Sequence, residues 1–129
     1  MSFNWKLYVD LSNELISHQR TPSLKDAYLR SAISRSYYGV FCIAREPLIY
    51  ETVYDSKVES HKEVREHYNS AVTRKERQIG TKLSRLWAER KAADYDTDAT
   101  FDDERARTAH KMAVDTITLL EELSTPKKK

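Results

Sequence analysis

Residues 27–44 decide the fold of this chain, and they read AYLRSAISRSYYGVFCIA. On a helical wheel, the apolar side chains of this stretch cover almost the whole circumference instead of one stripe. Such a helix has to be contacted by neighbours on most of its sides. We therefore predict that it is the central helix of a bundle. It should start at a capping box of Ser23 and Asp26 and end near Arg45, because Pro47 removes a backbone donor.

Apolar residues that recur every three or four positions predict further helices on both sides of this one. These helices cover about residues 4–18, 78–95 and 103–123, and a fourth begins at Ser60, while residues 48–59 are expected to form a loop. With only two glycines and three prolines, the chain lacks the turn residues of a many-stranded sheet. The predicted fold class is all-α, an up-and-down bundle of four to five antiparallel helices over residues 1–125, followed by a disordered basic tail at 126–129.

The composition excludes several kinds of protein. The lone Cys42 cannot form an intrachain disulfide, and no apolar run approaches the length of a membrane helix, so we expect a cytoplasmic protein without a membrane span. Residues 57–91 carry ten Lys or Arg against five Asp or Glu, whereas residues 92–123 carry three against nine. This asymmetry is typical of an ordinary solvated surface, but it could also steer an anionic partner or pair two protomers.

Two charged or polar side chains interrupt the inward-facing stripes of the last two helices. Arg90 falls between Leu83 and Leu86 on its helical wheel, and Asp94 follows one turn later. His110 falls within the stripe of the last helix, and an antiparallel pairing would place it at the height of Arg90. We expect Arg90, Asp94 and His110 to form a buried polar cluster, which is either a structural network or a functional site.

Three segments resemble the HEPN (higher eukaryote and prokaryote nucleotide-binding) family, in the family's order along the chain. They are RSAISRSYYGVF at residues 30–41, SHK at 60–62 and RKAADYD at 90–96. The resemblance implies a helical bundle, usually dimeric, in which many members are metal-independent endoribonucleases. Their motif is an Arg followed after four to six residues by a His, so that Arg90 matches the Arg and Tyr95 stands where the His is expected. The spacing recurs at Arg105 and His110, in the wrong helix.

Two functions follow from these observations. The first is an RNA-associated domain of toxin–antitoxin or phage-defence type, a homodimer whose candidate catalytic residues are Arg90, Asp94, Tyr95 and His110. The second is a non-catalytic interaction module that binds a partner protein such as a nucleotidyltransferase. We expect no cofactor and no metal, because the four histidines are not paired at ligand spacing, and His61 is expected at the surface where a helix starts.

Overall fold

The computed structural model describes residues 3–51 and 61–124, which form helices joined by short connections. The helices are α1 (Lys6–Ser17), α2 (Lys25–Glu51), α3 (His61–Asn69), α4 (Arg74–Tyr95) and α5 (Asp103–Ser124), with a 3-10 turn at Pro22–Leu24 before α2. No strand occurs within these described ranges. The predicted all-α helical bundle is confirmed. None of the helices described here combines the length and the apolar character that a membrane crossing requires.

The central position of α2 is confirmed. This helix packs against α1, α3, α4 and α5, whereas α1 contacts only α2 and α5 among the described helices. Several α2 side chains are completely buried, and they meet equally buried side chains of α4. The shared core contains Leu29, Ile33, Tyr37, Val40, Ile79, Leu83 and Leu86.

Contacts between named residues fix the directions of the helices. Ion pairs join α4 to α5 near both ends, Glu89 to Arg105 and Lys75 to Glu122, so these two helices are antiparallel. α1 and α2 are also antiparallel. Val9 packs against Gly39, and the later α1 residue Ser12 hydrogen-bonds to the earlier α2 residue Ser36. α3 instead runs in the direction of α2: its first residue contacts Tyr37, and its Tyr68 hydroxyl donates to the carbonyl of Ala44.

Small residues allow α1 to approach α2 closely. A Cβ atom added to Gly39 would lie 2.7 Å from Cγ2 of Val9 and 3.1 Å from the carbonyl oxygen of Trp5. One turn away, the buried hydroxyls of Ser12 and Ser36 hydrogen-bond at 2.7 Å, so neither is left without a partner. The helix pair is therefore held at a distance that only small side chains permit.

The predicted end of α2 at Arg45 is wrong, because the helix continues through Pro47 to Glu51. Leu48 is 4% exposed and belongs to the core, which offsets the hydrogen bond that the proline removes. The Tyr68 hydroxyl also donates to the Ala44 carbonyl, at 2.7 Å, just before the proline. Tertiary contacts thus override the local helix-stopping rule.

Other element ends differ by a turn or less. α4 begins four residues before the predicted residue 78, because Thr73 accepts a hydrogen bond from the backbone amide of Glu76 and caps the helix. Ser23 lies in the 3-10 turn and not at the start of α2. The predicted start at Ser60, residues 52–59 of the predicted loop and the tail at 126–129 lie outside the described residues.

Candidate functional site

Arg90 points inward from α4, as its place on the helical wheel predicted. Only 10% of its side-chain surface is exposed. Its Nε donates to Oδ2 of Asp94 at 2.8 Å, and Nη2 lies 3.3 Å from the hydroxyl of Tyr95. The predicted pairing of Arg90 with Asp94 is confirmed. A guanidinium that is this deeply buried keeps its charge because a carboxylate one turn later partly neutralises it.

Aromatic rings complete the surroundings of Arg90. Its Cζ atom lies 5.0 Å from the ring centre of Tyr38, 5.3 Å from that of Trp87 and 5.3 Å from that of Tyr95. The faces of aromatic rings carry negative charge density, so these three rings stabilise the cation further. Tyr95 is nevertheless 72% exposed, which places this edge of the cluster at the surface.

Two side chains of α2 position the end of α4 that carries Asp94. Ser34 donates to Oδ2 of Asp94 at 3.3 Å. Arg30 makes a larger connection, because its guanidinium donates to four backbone carbonyls at the end of α4 and beyond it, at distances of 2.8 to 3.5 Å. The acceptors are the carbonyls of Ala92, Ala93, Asp96 and Ala99.

His61 is the site residue that the sequence analysis missed. We expected it at the surface, but it is half-buried between Phe41, at 4.2 Å between ring centres, and Trp87, at 4.6 Å. Its Nδ1 also hydrogen-bonds to the hydroxyl of the fully buried Tyr37. The helical period carried a signal for this position, because His61 lies three and seven residues before the buried Val64 and Tyr68.

Burial and neighbouring cations keep the His61 imidazole neutral. The pKa of His61 falls from 6.5 to about 4, first because burial disfavours the charged form and then because Arg90, Arg65 and Arg45 repel it. Burial raises the pKa of the Tyr37 hydroxyl that bonds to it, so the phenol stays protonated. At neutral pH the site therefore holds a neutral imidazole beside the Arg90 guanidinium.

Arg65 adds a second cation with an unused donor. Its Cζ atom lies 4.7 Å from the ring centre of Trp87, whose ring also contacts His61 and Arg90. Nη1 of Arg65 is buried and has no hydrogen-bond partner among the described residues. A buried N–H without an acceptor costs about 1–3 kcal/mol, and the packing around Trp87 has to offset this cost. We call Arg90, Arg65, His61, Trp87 and Tyr38 the Arg90–His61 cluster.

The structure does not bring His110 to this cluster. His110 is half-buried against α1, where the backbone of Val9 and the carboxylate of Asp10 interact with it. Burial, followed by the charge of Arg107, lowers the pKa of His110. Since α1 and α4 do not pack against each other, the expected proximity of His110 to Arg90 is wrong. The helical wheel gave the correct inward direction, but α5 packs against three helices and His110 faces a different one.

The second Arg–His spacing, Arg105 to His110, also brings no pair together. Arg105 forms a two-pronged ion pair with Glu89 of α4, with both distances at 2.8 Å, while His110 faces α1. Within residues 3–51 and 61–124, no group of three His, Cys, Asp or Glu side chains is placed to hold a metal ion.

Comparison of the chain with protein-family models, curated proteins and solved structures gives no match. A functional proposal therefore depends on the residues of the Arg90–His61 cluster.

Proposed function

We propose that this chain is a HEPN-like RNA-binding domain that holds a backbone phosphate at the Arg90–His61 cluster and cleaves the adjacent phosphodiester without a metal. The observation that carries the proposal is that Arg90 and Arg65 both lie over the Trp87 ring, against which the neutral His61 imidazole is stacked. A phosphate oxygen is an acceptor of the required charge, and guanidinium groups bind phosphate with two parallel hydrogen bonds. The exposed ring of Tyr95 offers a base a stacking surface.

The neutral imidazole supplies the proton acceptor that such a cleavage needs. In the tautomer that donates from Nδ1 to Tyr37, Nε2 of His61 keeps a free lone pair. It takes the proton of the ribose 2′-hydroxyl, whose oxygen attacks phosphorus while the bond to the 5′-oxygen breaks. The 5′-oxygen leaves with a proton from a water molecule, and the hydroxide that remains takes the proton back from His61. Arg90 and Arg65 stabilise the charge on the phosphoryl oxygens. His61 thus takes the proton-transfer role of the motif's His, whose place Tyr95 occupies in the sequence and which His110 was expected to supply in space.

An RNase assay of the purified full chain in the presence of a chelator tests this proposal. Arg90→Ala and His61→Gln should each abolish cleavage of a labelled RNA, and Arg65→Gln should weaken it about tenfold or more. Arg107→Gln and His110→Gln are the matched controls and should leave cleavage unchanged. Absence of cleavage by the wild-type protein, or equal loss in the controls, would remove the enzymatic proposal.

A protein-binding module is a second candidate, and an exposed apolar edge formed by α1 and the residue Phe3 before it favours it. Phe3, Leu7 and Leu11 are each more than 40% exposed and recur every four residues. We propose that this edge forms the interface of a homodimer or binds a partner protein, such as a nucleotidyltransferase that a neighbouring gene encodes. Leu7→Glu with Leu11→Glu should lower the mass seen by sedimentation, or abolish co-purification with that partner. A monomeric wild type that captures no partner would contradict this candidate.

A further inference from the structure

A basic groove lies between α4 and α5, on a different side of α4 from Arg90. Arg74, Arg77, Lys82 and Arg85 line it on the α4 side. Residues 74, 77, 81 and 85 follow the helical period and form one line about 16 Å long, from the rise of 1.5 Å per residue. At 100° per residue, the mean direction of this line is turned by roughly 175° from the direction of Arg90. The groove is therefore a separate surface from the Arg90–His61 cluster.

The positive charges of this groove are not neutralised. Arg74, Lys82 and Arg85 form no ion pair with any described residue, although Lys75 on the same helix pairs with Glu122 at 3.0 Å. Asp115 is the acidic residue of the lining, and Lys111 lies 3.3 Å from its carboxylate. Four like charges in one groove repel each other, and an anionic ligand would relieve this repulsion.

Hydrogen bonds to the backbone fix the position of the Arg77 guanidinium at the groove. Its Nη1 donates to the carbonyl of Ala71 at 3.1 Å and to that of Val72 at 2.5 Å, in the connection between α3 and α4. These neutral carbonyls fix the guanidinium without cancelling its charge. Its remaining N–H groups form no hydrogen bond with a described residue and can donate to a ligand in the groove, and little side-chain entropy is lost when they do.

We propose that this groove binds the phosphate backbone of a single-stranded nucleic acid. Three of its four cations are arginines, which match phosphate geometry, and they follow a straight line like the charges of an extended strand. The lining otherwise contains Gln78, Thr81 and Thr118, and its apolar side chain is Leu119. Its described lining residues include none of the aromatic anchors that dominate protein–protein interfaces, which disfavours an acidic protein as the ligand.

Acidic residues limit the groove at its other end. Beyond Arg85, the space between α4 and α5 is lined by Glu89, Asp102 and Glu104. Glu89 is neutralised by Arg105, but Asp102 and Glu104 make no ion pair with a described residue. A bound strand would be repelled there, so the binding site is confined to the basic half.

Binding of a labelled single-stranded oligodeoxynucleotide to the full chain tests the inference, because DNA lacks the 2′-hydroxyl and cannot be cleaved by the proposed reaction. Arg74→Gln, Lys82→Gln and Arg85→Gln combined should weaken binding about tenfold or more at low salt. The slope of log affinity against log salt is negative, and its magnitude should decrease by about 2. Each of the three lost phosphate contacts contributes about 0.7 to it. The control is Arg20→Gln, Lys25→Gln and Arg107→Gln combined, an equal change in net charge on other exposed surfaces, and it should leave both quantities nearly unchanged.

Equal weakening in the control, or polyglutamate competing as well as unlabelled DNA, would overturn the inference. Arg85→Gln alone, with a melting curve for every variant, distinguishes a binding defect from misfolding. The result is also separable from the RNase assay. Loss of cleavage in Arg90→Ala with unchanged DNA binding would leave the groove proposal standing. Unchanged DNA binding in the triple variant would contradict the groove proposal and leave the proposed cleavage site unaffected.

Discussion

The hydroxyl of Tyr37 and Nδ1 of His61 form a hydrogen bond that joins the central helix to the first residue of α3. Tyr37 is fully buried, and the imidazole it holds lies against the indole of Trp87. This bond anchors the half-buried His61 in a place where a charged imidazole is disfavoured.

The protein should lose stability as the pH falls from 6.5 towards 4, partly because of His61. The pKa of His61 is about 4 in the folded chain and 6.5 when unperturbed, so between these values only the unfolded chain takes up the proton. The contribution is fully present above pH 6.5 and is lost as the pH falls through about 4. Urea midpoints at pH 7 and pH 5 should differ less in His61→Gln than in wild type. Some dependence remains, because burial also lowers the pKa of His110. Identical pH dependence in both proteins would contradict the prediction.

An anion bound at the Arg90–His61 cluster should raise the pKa of His61. Arg90 and Arg65 both lower this pKa by repulsion, and a phosphate between them would offset their charge. The measurement is an NMR titration of the imidazole with and without an uncleavable RNA whose 2′-hydroxyls are methylated. His110 serves as the internal reference, and an equal shift of both histidines would indicate a nonspecific effect.

Asp94→Asn should destabilise the fold by about 2 kcal/mol, the typical value of a hydrogen bond to a charged group. The variant leaves the Arg90 guanidinium, 10% exposed, without its carboxylate. Tyr95→Phe, which removes a 3.3 Å contact of a largely exposed residue, should cost less than about 0.5 kcal/mol. Urea denaturation of the two variants checks the difference, and equal losses would show that the ion pair is not what holds Arg90.

Gly39→Ala should destabilise the protein by about 1–3 kcal/mol, although alanine is the better helix former. The added methyl group would meet Val9 and the Trp5 carbonyl, so α1 would have to move away from α2. Ser31→Ala, at an exposed position of the same helix, should change stability by less than about 0.5 kcal/mol. A Gly39→Ala protein as stable as wild type would mean that α1 adjusts freely.

Arg30→Lys should cost about 2 kcal/mol, because an ammonium group cannot reach the four carbonyls that the guanidinium bonds. The loss should be local to residues 92–100. Hydrogen exchange of amides in this segment should accelerate in the variant, while exchange in α1 stays slow. Uniform acceleration across the chain would instead show that Arg30 supports the whole fold.

The sequence predicted those features that depend on one helix at a time. The all-round apolar pattern of residues 27–44 gave the central helix, and the helical wheel placed Arg90 inward with Asp94 as its partner. The sequence could not show which neighbouring helix an inward side chain faces, and for this reason His110 was expected beside Arg90. It also could not weigh the burial of Leu48 against the cost of Pro47.

His61 was a different kind of error, since its spacing from Val64 and Tyr68 indicated an inward position. The expectation of a surface residue came from its place at the start of a helix. The partner that fixes it, Tyr37, is 24 residues earlier in the chain, and only the packing of α3 along α2 brings the two together.

Among the carbonyls that Arg30 bonds, that of Ala93 belongs to the last turn of α4, where a helix has no further amides to offer. It is satisfied by a side chain more than sixty residues earlier in the sequence. The last turn of α4, with Asp94 and Tyr95, is therefore a product of tertiary assembly and not of local helix propensity. During folding, this turn should acquire its final shape only after the first half of the chain has docked, so a fragment that begins at α3 would contain Arg90 on a helix with a frayed end.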